Sequence, residues 1–209
     1  MRGLFVALFL SLGCANVPAE YANGEYYAAE GTPAGASQLY LVGPVTTELA
    51  SKVATGIIQA AERGDKVVVI HIDSPGGSVY AGQVLSKIME AAPLQVVCKV
   101  DGMAASMAFY LLQSCDLRLM TERSILMAHE PSLQISGRGN KDWFKAHYEE
   151  LLVLGEAMGR HQSRRLKITH EEFMRRIDNR DWNMDSTEAL EVGAVDAIVS
   201  AVEYPRDSN

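Results

Sequence analysis

Lys66-Val67-Val68-Val69-Ile70-His71-Ile72, continued by Asp73-Ser74-Pro75-Gly76-Gly77-Ser78, sets the reading of the chain. Its first part is almost continuously apolar, as a strand covered on both faces should be, and His71 inside it is best explained by packing. Its second part turns the chain. Gly76 and Gly77 carry no Cβ, so their amides can approach a ligand, which at the mouth of a covered strand could be an oxyanion. Taken alone, the same residues also suit a plain strand-to-helix turn.

Upstream, Gln38-Leu39-Tyr40-Leu41-Val42-Gly43 reads as a strand ended by Pro44. Thr46 or Thr47 can cap a helix whose apolar stripe is Leu49, Val53 and Ile57-Ile58, closed by the turn Arg63-Gly64-Asp65. Downstream, a helix runs from Ser78 or Val79 to Ala91, Pro93 closes it, and Leu94 to Val100 forms the next strand. Small residues from Gly102 to Ala105 lead to Ser106 and to a helix-like run, Met107 to Leu112. Two short strands follow, Asp116–Met120 and Ser124–Ala128. Beyond them lie a polar loop from Ser132 to Asn140 and a long helix from Lys141 to about Gln162. Thr169-His170-Glu171-Glu172 is a capping-box pattern, Ser186 starts a short helix ending at Gly193, and Val195–Val199 is a last strand. Alternation of strand and helix at this spacing predicts an α/β fold. The division expected is a signal segment over 1–19, a lead-in over 20–37, one domain over 38–201 and a tail over 202–209.

The 209 residues suffice for one domain with a sizeable core. A net charge of −7 and the lack of a basic patch with interleaved aromatics argue against nucleic acid as a partner. The three cysteines lack metal-ligand spacing, no Gly-x-x-x-x-Gly-Lys-Ser/Thr loop is present, and no cofactor is called for. Whether Cys98 and Cys115 bond is left open by spacing. Met1-Arg2 followed by the apolar run Leu4–Leu10 has the form of a signal peptide, with cleavage after Ala15 or Ala19 or lipid attachment at Cys14. It predicts an exported chain, periplasmic or anchored as a lipoprotein; the alternative is a cytoplasmic protein with an unusual start.

Ser106, between a strand and a helix, is mounted as a nucleophile is, although a serine there is more often a helix cap. His129, at a strand end before Pro131, can take and return the serine proton. His147, His161 and His170 fall on helices without such a setting. An aspartate must orient the imidazole, and Asp73, Asp101, Asp116, Asp178 and Asp181 are all chemically able to do so.

These segments together resemble the ClpP family, the proteolytic subunits of the ATP-dependent Clp protease. The resemblance is carried by Ile72-Asp73-Ser74-Pro75-Gly76-Gly77, Ala104-Ala105-Ser106-Met107 and Met127-Ala128-His129-Glu130-Pro131. Arg180-Asp181 and the run Glu188–Asp196 extend it. It implies a ClpP/crotonase-like fold of repeated β-β-α units with a helical handle. It also implies a triad of Ser106, His129 and Asp181, with oxyanion amides at Gly77 and Met107. The expected partners are peptides or unfolded proteins and further copies of the chain, as two stacked seven-membered rings. The family's ATPase partner would be separated from an exported chain. Two other functions suit parts of the pattern. One is a serine–lysine protease like signal peptide peptidase A. The other is a noncatalytic crotonase-like protein that binds an acyl thioester or acts as a scaffold.

Overall fold

A computed structural model describes residues 35–132 and 138–200. The expected signal segment, most of the lead-in, the tail, and residues 133–137 of the polar loop lie outside the described residues. Seven strands form one sheet: β1 (Ser37–Val42), β2 (Val67–Ser74), β3 (Gln95–Ala105), β4 (Leu117–Thr121), β5 (Ile125–Ala128), β6 (Trp182–Met184) and β7 (Ala197–Val199). The parallel order is β1-β2-β3-β4-β7; β5 pairs parallel with the far end of β3, and β6 returns antiparallel along β5. The helices are α1 (Thr47–Glu62), α2 (Val79–Ala91), α3 (Met107–Leu112), α4 (Lys141–Ser163), α5 (His170–Ile177) and α6 (Ser186–Glu191). This is the expected α/β architecture, with a largely parallel sheet.

The period of two in the strands sorts the core onto two faces. Val68, Ile70 and Ile72 of β2, and Val96, Cys98 and Val100 of β3, join the main core with Val53 and Ile57 of α1, Leu85 and Met89 of α2 and all of α3. Val67, Val69, Val97, Leu117 and Leu119 point the other way into a smaller cluster. The covered-strand reading therefore holds for the first half of β2. Its second half differs, and His71 is not a packing residue. Its Nδ1 meets Asp101 Oδ2 at 2.5 Å, its Nε2 meets Gln38 Oε1 at 2.8 Å, and Tyr40 stacks on the ring. Lys99 joins the same polar row through Asp101.

Helix ends follow their sequence signals. The side chain of Thr46 accepts the Leu49 amide, Ser78 that of Ala81, Asn140 that of Trp143 and Thr169 that of Glu172. The reciprocal half of the expected capping box is replaced: the Glu172 carboxylate is taken by Arg175 and Arg176. β3 runs five residues beyond the expected end at Val100, because Met103–Ala105 pair with Ile125–Met127 of β5. Cys98 and Cys115 are joined by a disulfide with Cα atoms 5.9 Å apart.

The closing segment is tied to β4 by the ion pair of Arg118 with Asp196, which Arg165 joins at 3.4 Å. Arg118, 3% exposed, places its guanidinium on both oxygens of Asp196 and donates to Gln113 Oε1 and the Gly193 carbonyl. Burial alone would raise the Asp196 carboxyl; the Arg118 hydrogen bonds and charge outweigh it and hold the group below its ordinary range. A depressed folded-state value stabilises above the unfolded carboxylate range, about 4, and that contribution is lost as pH falls through the folded value. Asp196→Ala, which leaves a buried guanidinium without its anion, should cost about 3 kcal/mol at neutral pH. Urea denaturation should show the difference from wild type shrinking as the pH is taken down to about 3.

Candidate active site

The C-terminal ends of three neighbouring strands build the site. β2 ends in Ser74, whose Oγ accepts the Gly76 amide at 3.2 Å. The turn is then fastened sideways: Val45 N donates to the Gly76 carbonyl and Ser78 N to the Val45 carbonyl, each at 2.8 Å. Both glycines have positive φ, 91° and 151°. A Cβ on Gly77 would lie 2.5 Å from the Val45 carbonyl oxygen. A Cβ on Gly76 would lie 2.7 Å from Ser106 Cβ and 2.8 Å from Met107 N. Glycine is required here because the turn lies directly against the serine.

β3 delivers Ser106 at φ 55° and ψ −116°, a backbone conformation that a residue with a side chain adopts at a cost of about 1–3 kcal/mol. Neighbours hold it there. Its amide donates to the Met127 carbonyl at 2.8 Å, and its carbonyl accepts from Tyr110 N at 3.0 Å. Although Ser106 stands at the helix-cap position, its hydroxyl makes no capping bond. The hydroxyl instead lies 2.6 Å from His129 Nε2. With Nε2 unprotonated and Nδ1 carrying the hydrogen, that contact is a serine O–H donating to a base. The amides of Gly77 and Met107 have no backbone acceptor among the described residues and flank the turn at Ser106.

His129 follows the last residue of β5. The β5–β6 register pairs Leu126 with Met184, Met127 with Asn183 and Ala128 with Trp182. Continued by one residue, it sets Asp181 opposite His129. No hydrogen bond joins their side chains among the described residues. The remaining aspartates are occupied: Asp73 accepts the Met103 amide, Asp101 meets His71 and Lys99, Asp116 accepts the Val96 amide, and Asp178 accepts Asn179 Nδ2. The structure thus brings Ser106, His129, the glycine turn and Met107 together, and it places Asp181 across from His129 by backbone register alone.

The other histidines are engaged elsewhere. His147 bonds the Trp143 carbonyl, His161 lies on Ser114 and Tyr110, and His170 on Ser163 and Glu156. Sequence reasoning missed two parts of the site. The Met127 carbonyl that fixes the Ser106 amide is backbone and leaves no side-chain signal. The other is a groove of about 470 Å³ that begins at Glu130, the residue after His129, and is lined by Pro131, Leu151, Leu152, Gly155 and Met174. The apolar residues of α4 were its only trace in the sequence.

Comparison with known proteins agrees with this geometry. The family model described as Clp protease matches residues 32–202. The chain is 30% identical over 164 residues to the ATP-dependent Clp protease proteolytic subunit 1 of Streptomyces coelicolor, covering 78% of this chain and 74% of that protein. It is 30% identical over 163 residues to the proteolytic subunit 3 of Streptomyces avermitilis, covering 77% and 73%. These relatives correct the expectation of an exported, periplasmic or lipoprotein chain: both are subunits of an ATP-dependent protease, and export would part such a subunit from ATP. No helix among the described residues is long and apolar enough to cross a membrane, and Met1–Ala19, on which export was read, lies outside them.

The Gly76 contact gives a test of the site. Gly76→Ala should slow reaction of Ser106 with a fluorophosphonate by about a hundredfold, since displacements of about 1 Å cost that much. Gly64→Ala is the control: Gly64 also has positive φ, 81°, but open space around it, so labelling should stay near wild type. Intact-mass kinetics of adduct formation would measure both.

Proposed function

The chain belongs to the Clp protease family, and from that premise we propose that it is a serine endopeptidase hydrolysing peptides or unfolded proteins. The observation that carries the proposal is the 2.6 Å contact between Ser106 Oγ and His129 Nε2 at a serine freed from capping. In this reading His129 takes the proton as Ser106 attacks the peptide carbonyl. The Gly77 and Met107 amides receive the developing oxyanion. His129 then returns the proton to the leaving amine, and water hydrolyses the acyl-enzyme. Asp181 orients His129 when its carboxylate turns to Nδ1, a move for which its register position and its lack of another partner among the described residues suit it. The groove that begins at Glu130 receives a substrate side chain.

Assembly belongs to the same proposal. Phe144, Tyr148 and Leu152, spaced four residues apart on one side of α4, are exposed, from 49% to 60%, and this is a stripe that a handle helix would bury between copies in stacked rings. We take the single domain to be the ClpP/crotonase-like unit of such a chamber, with seven copies in each ring. Analytical ultracentrifugation should find an oligomer, and Tyr148→Glu with Leu152→Glu should shift it to smaller species. A wild-type monomer across concentrations would refute the assembly.

A second reading, a noncatalytic acyl-thioester binder or scaffold, is favoured by the lack of a His129–Asp181 hydrogen bond. Fluorophosphonate labelling separates the two. An adduct on Ser106, abolished in Ser106→Ala, supports the peptidase; a folded, assembled protein that takes no label refutes it. Peptide turnover surviving in His129→Ala would point instead to a serine–lysine mechanism. For the peptidase, Asp181→Asn should lower kcat by up to about 10⁴-fold. Gly155→Leu should fill the groove and raise KM while leaving the labelling rate nearly unchanged.

A further inference from the structure

The disulfide joins Cys98, in the middle of β3, to Cys115, just beyond α3. The loop that it closes contains the second half of β3, Ser106 and the whole of α3, and its two central residues are Ser106 and Met107. The nucleophile and one oxyanion amide therefore sit at the tip of a strand–turn–helix unit whose base is covalently fastened. Asp116 strengthens that base: its carboxylate accepts the Val96 amide and its own amide donates to the Val96 carbonyl.

The two ends of the bond are held by different kinds of structure. β3 is hydrogen-bonded on both sides around Cys98, to β2 at Ile70 and to β4 at Arg118. α3 has only six residues, too few to hold a helix by itself, and depends on its surroundings. Cys98 and Cys115 are 0% and 1% exposed, in a close-packed interior. When the bond is broken, two thiols must move apart to van der Waals contact. The strand is pinned, so the displacement goes into α3, whose first residue is Met107 and whose N-terminal neighbour is the strained Ser106.

We infer that the Cys98–Cys115 disulfide is a positioning element of the active site, which holds α3 so that Ser106 and the Met107 amide stay aligned, and that its reduction lowers turnover without unfolding the protein. The inference rests on the peptidase reading of the same site. The redox step balances with a dithiol as reductant. One reductant thiolate attacks a protein sulfur and expels the other as a thiolate. The second reductant thiolate then displaces the first protein sulfur, leaving a cyclic disulfide. The protein gains two electrons and two protons, and the reductant loses them.

The test compares full-length protein before and after dithiothreitol, with peptide mapping to separate Cys14 from the pair. The readouts are fluorophosphonate labelling of Ser106, kcat and KM on a fluorogenic peptide, and circular dichroism. The inference predicts that reduction lowers kcat and the labelling rate by about ten- to a hundredfold. KM should change less than about twofold, the dichroism should be unchanged, and reoxidation should restore activity. Cys98→Val combined with Cys115→Ala, which refills the site with apolar atoms, should show the reduced kinetics and ignore dithiothreitol. Loss of the dichroism on reduction of the wild type would overturn the claim that the fold survives, and this variant then tests the positioning by itself. Equal kcat and labelling with and without the bond, in folded protein, would overturn the inference, as would free thiols at both positions after mild oxidation. Folded protein that is inert both with the bond formed and with it reduced would refute the peptidase reading itself, and this inference with it.

Discussion

The close approach of Gly76 to the Ala105 carbonyl, Ser106 Cβ and the Met107 amide is the constraint on which the site depends. Two strands that run side by side must end in turns that occupy nearly the same space, and only a residue without a Cβ allows it. The rest of the neighbourhood serves that approach. Val45 fastens the glycine turn from one side through two backbone bonds, and Met127 fastens Ser106 from the other. Ser106 can then persist at a φ of 55° because its amide, its carbonyl and its hydroxyl all have partners there. The serine is displayed by interlocking backbones rather than by its own preference.

A parallel sheet makes this arrangement economical, since its strand ends present their loops at one edge, where α/β folds gather their chemistry. β2 contributes the glycine turn, β3 the serine and β5 the histidine. β3 is long enough to pair first with β4 and then, six residues further on, with β5. That change of partner brings His129 to Ser106, because Met103–Ala105 of β3 lie beside the strand that His129 follows.

Much of this was legible in the sequence because the signals were local. Continuous apolar runs marked β2 and β3, caps at Thr46, Ser78 and Thr169 marked helix starts, and Ser106 and His129 stood at strand ends where their contact was found. What the sequence hid was set by pairing. Gly102–Ala105 has the composition of a turn and becomes strand because β5 supplies its hydrogen bonds. Trp182–Met184 is three residues long and becomes a strand only against β5. His71 sits in an apolar run, yet its ring faces Gln38 and Asp101 from neighbouring strands, which no single stretch reveals. The Cys98–Cys115 bond is of the same kind: Cys98 lies in an apolar strand run and Cys115 in a polar turn, and only the fold brings their Cα atoms to 5.9 Å.

The carboxylate opposite His129 shows how far backbone geometry reaches. β6 is held to β5 by a register that has no freedom to slip, because Trp182 and Met184 are buried while Asn183 is exposed, and a slip of one residue would reverse all three. Asp181 is therefore opposite His129 whatever its side chain does. Its rotamer is a separate matter. The residues leading to it, Asn179 at φ 55° and Arg180, are exposed and belong to a turn rather than to the sheet. Ser106 and His129 are held by β3 and β5, whereas Asp181 enters from the short antiparallel return at the edge of the sheet. The Ser106–His129 pair is thus held by the sheet, while Asp181 answers to whatever packs against α4, α5 and the turn before β6. Those are the same elements that wall the groove that begins at Glu130 and, on α4, carry the exposed apolar side. Substrate or a second copy of the chain seated on these surfaces would thus act on the aspartate while leaving the serine and the histidine where the sheet has put them.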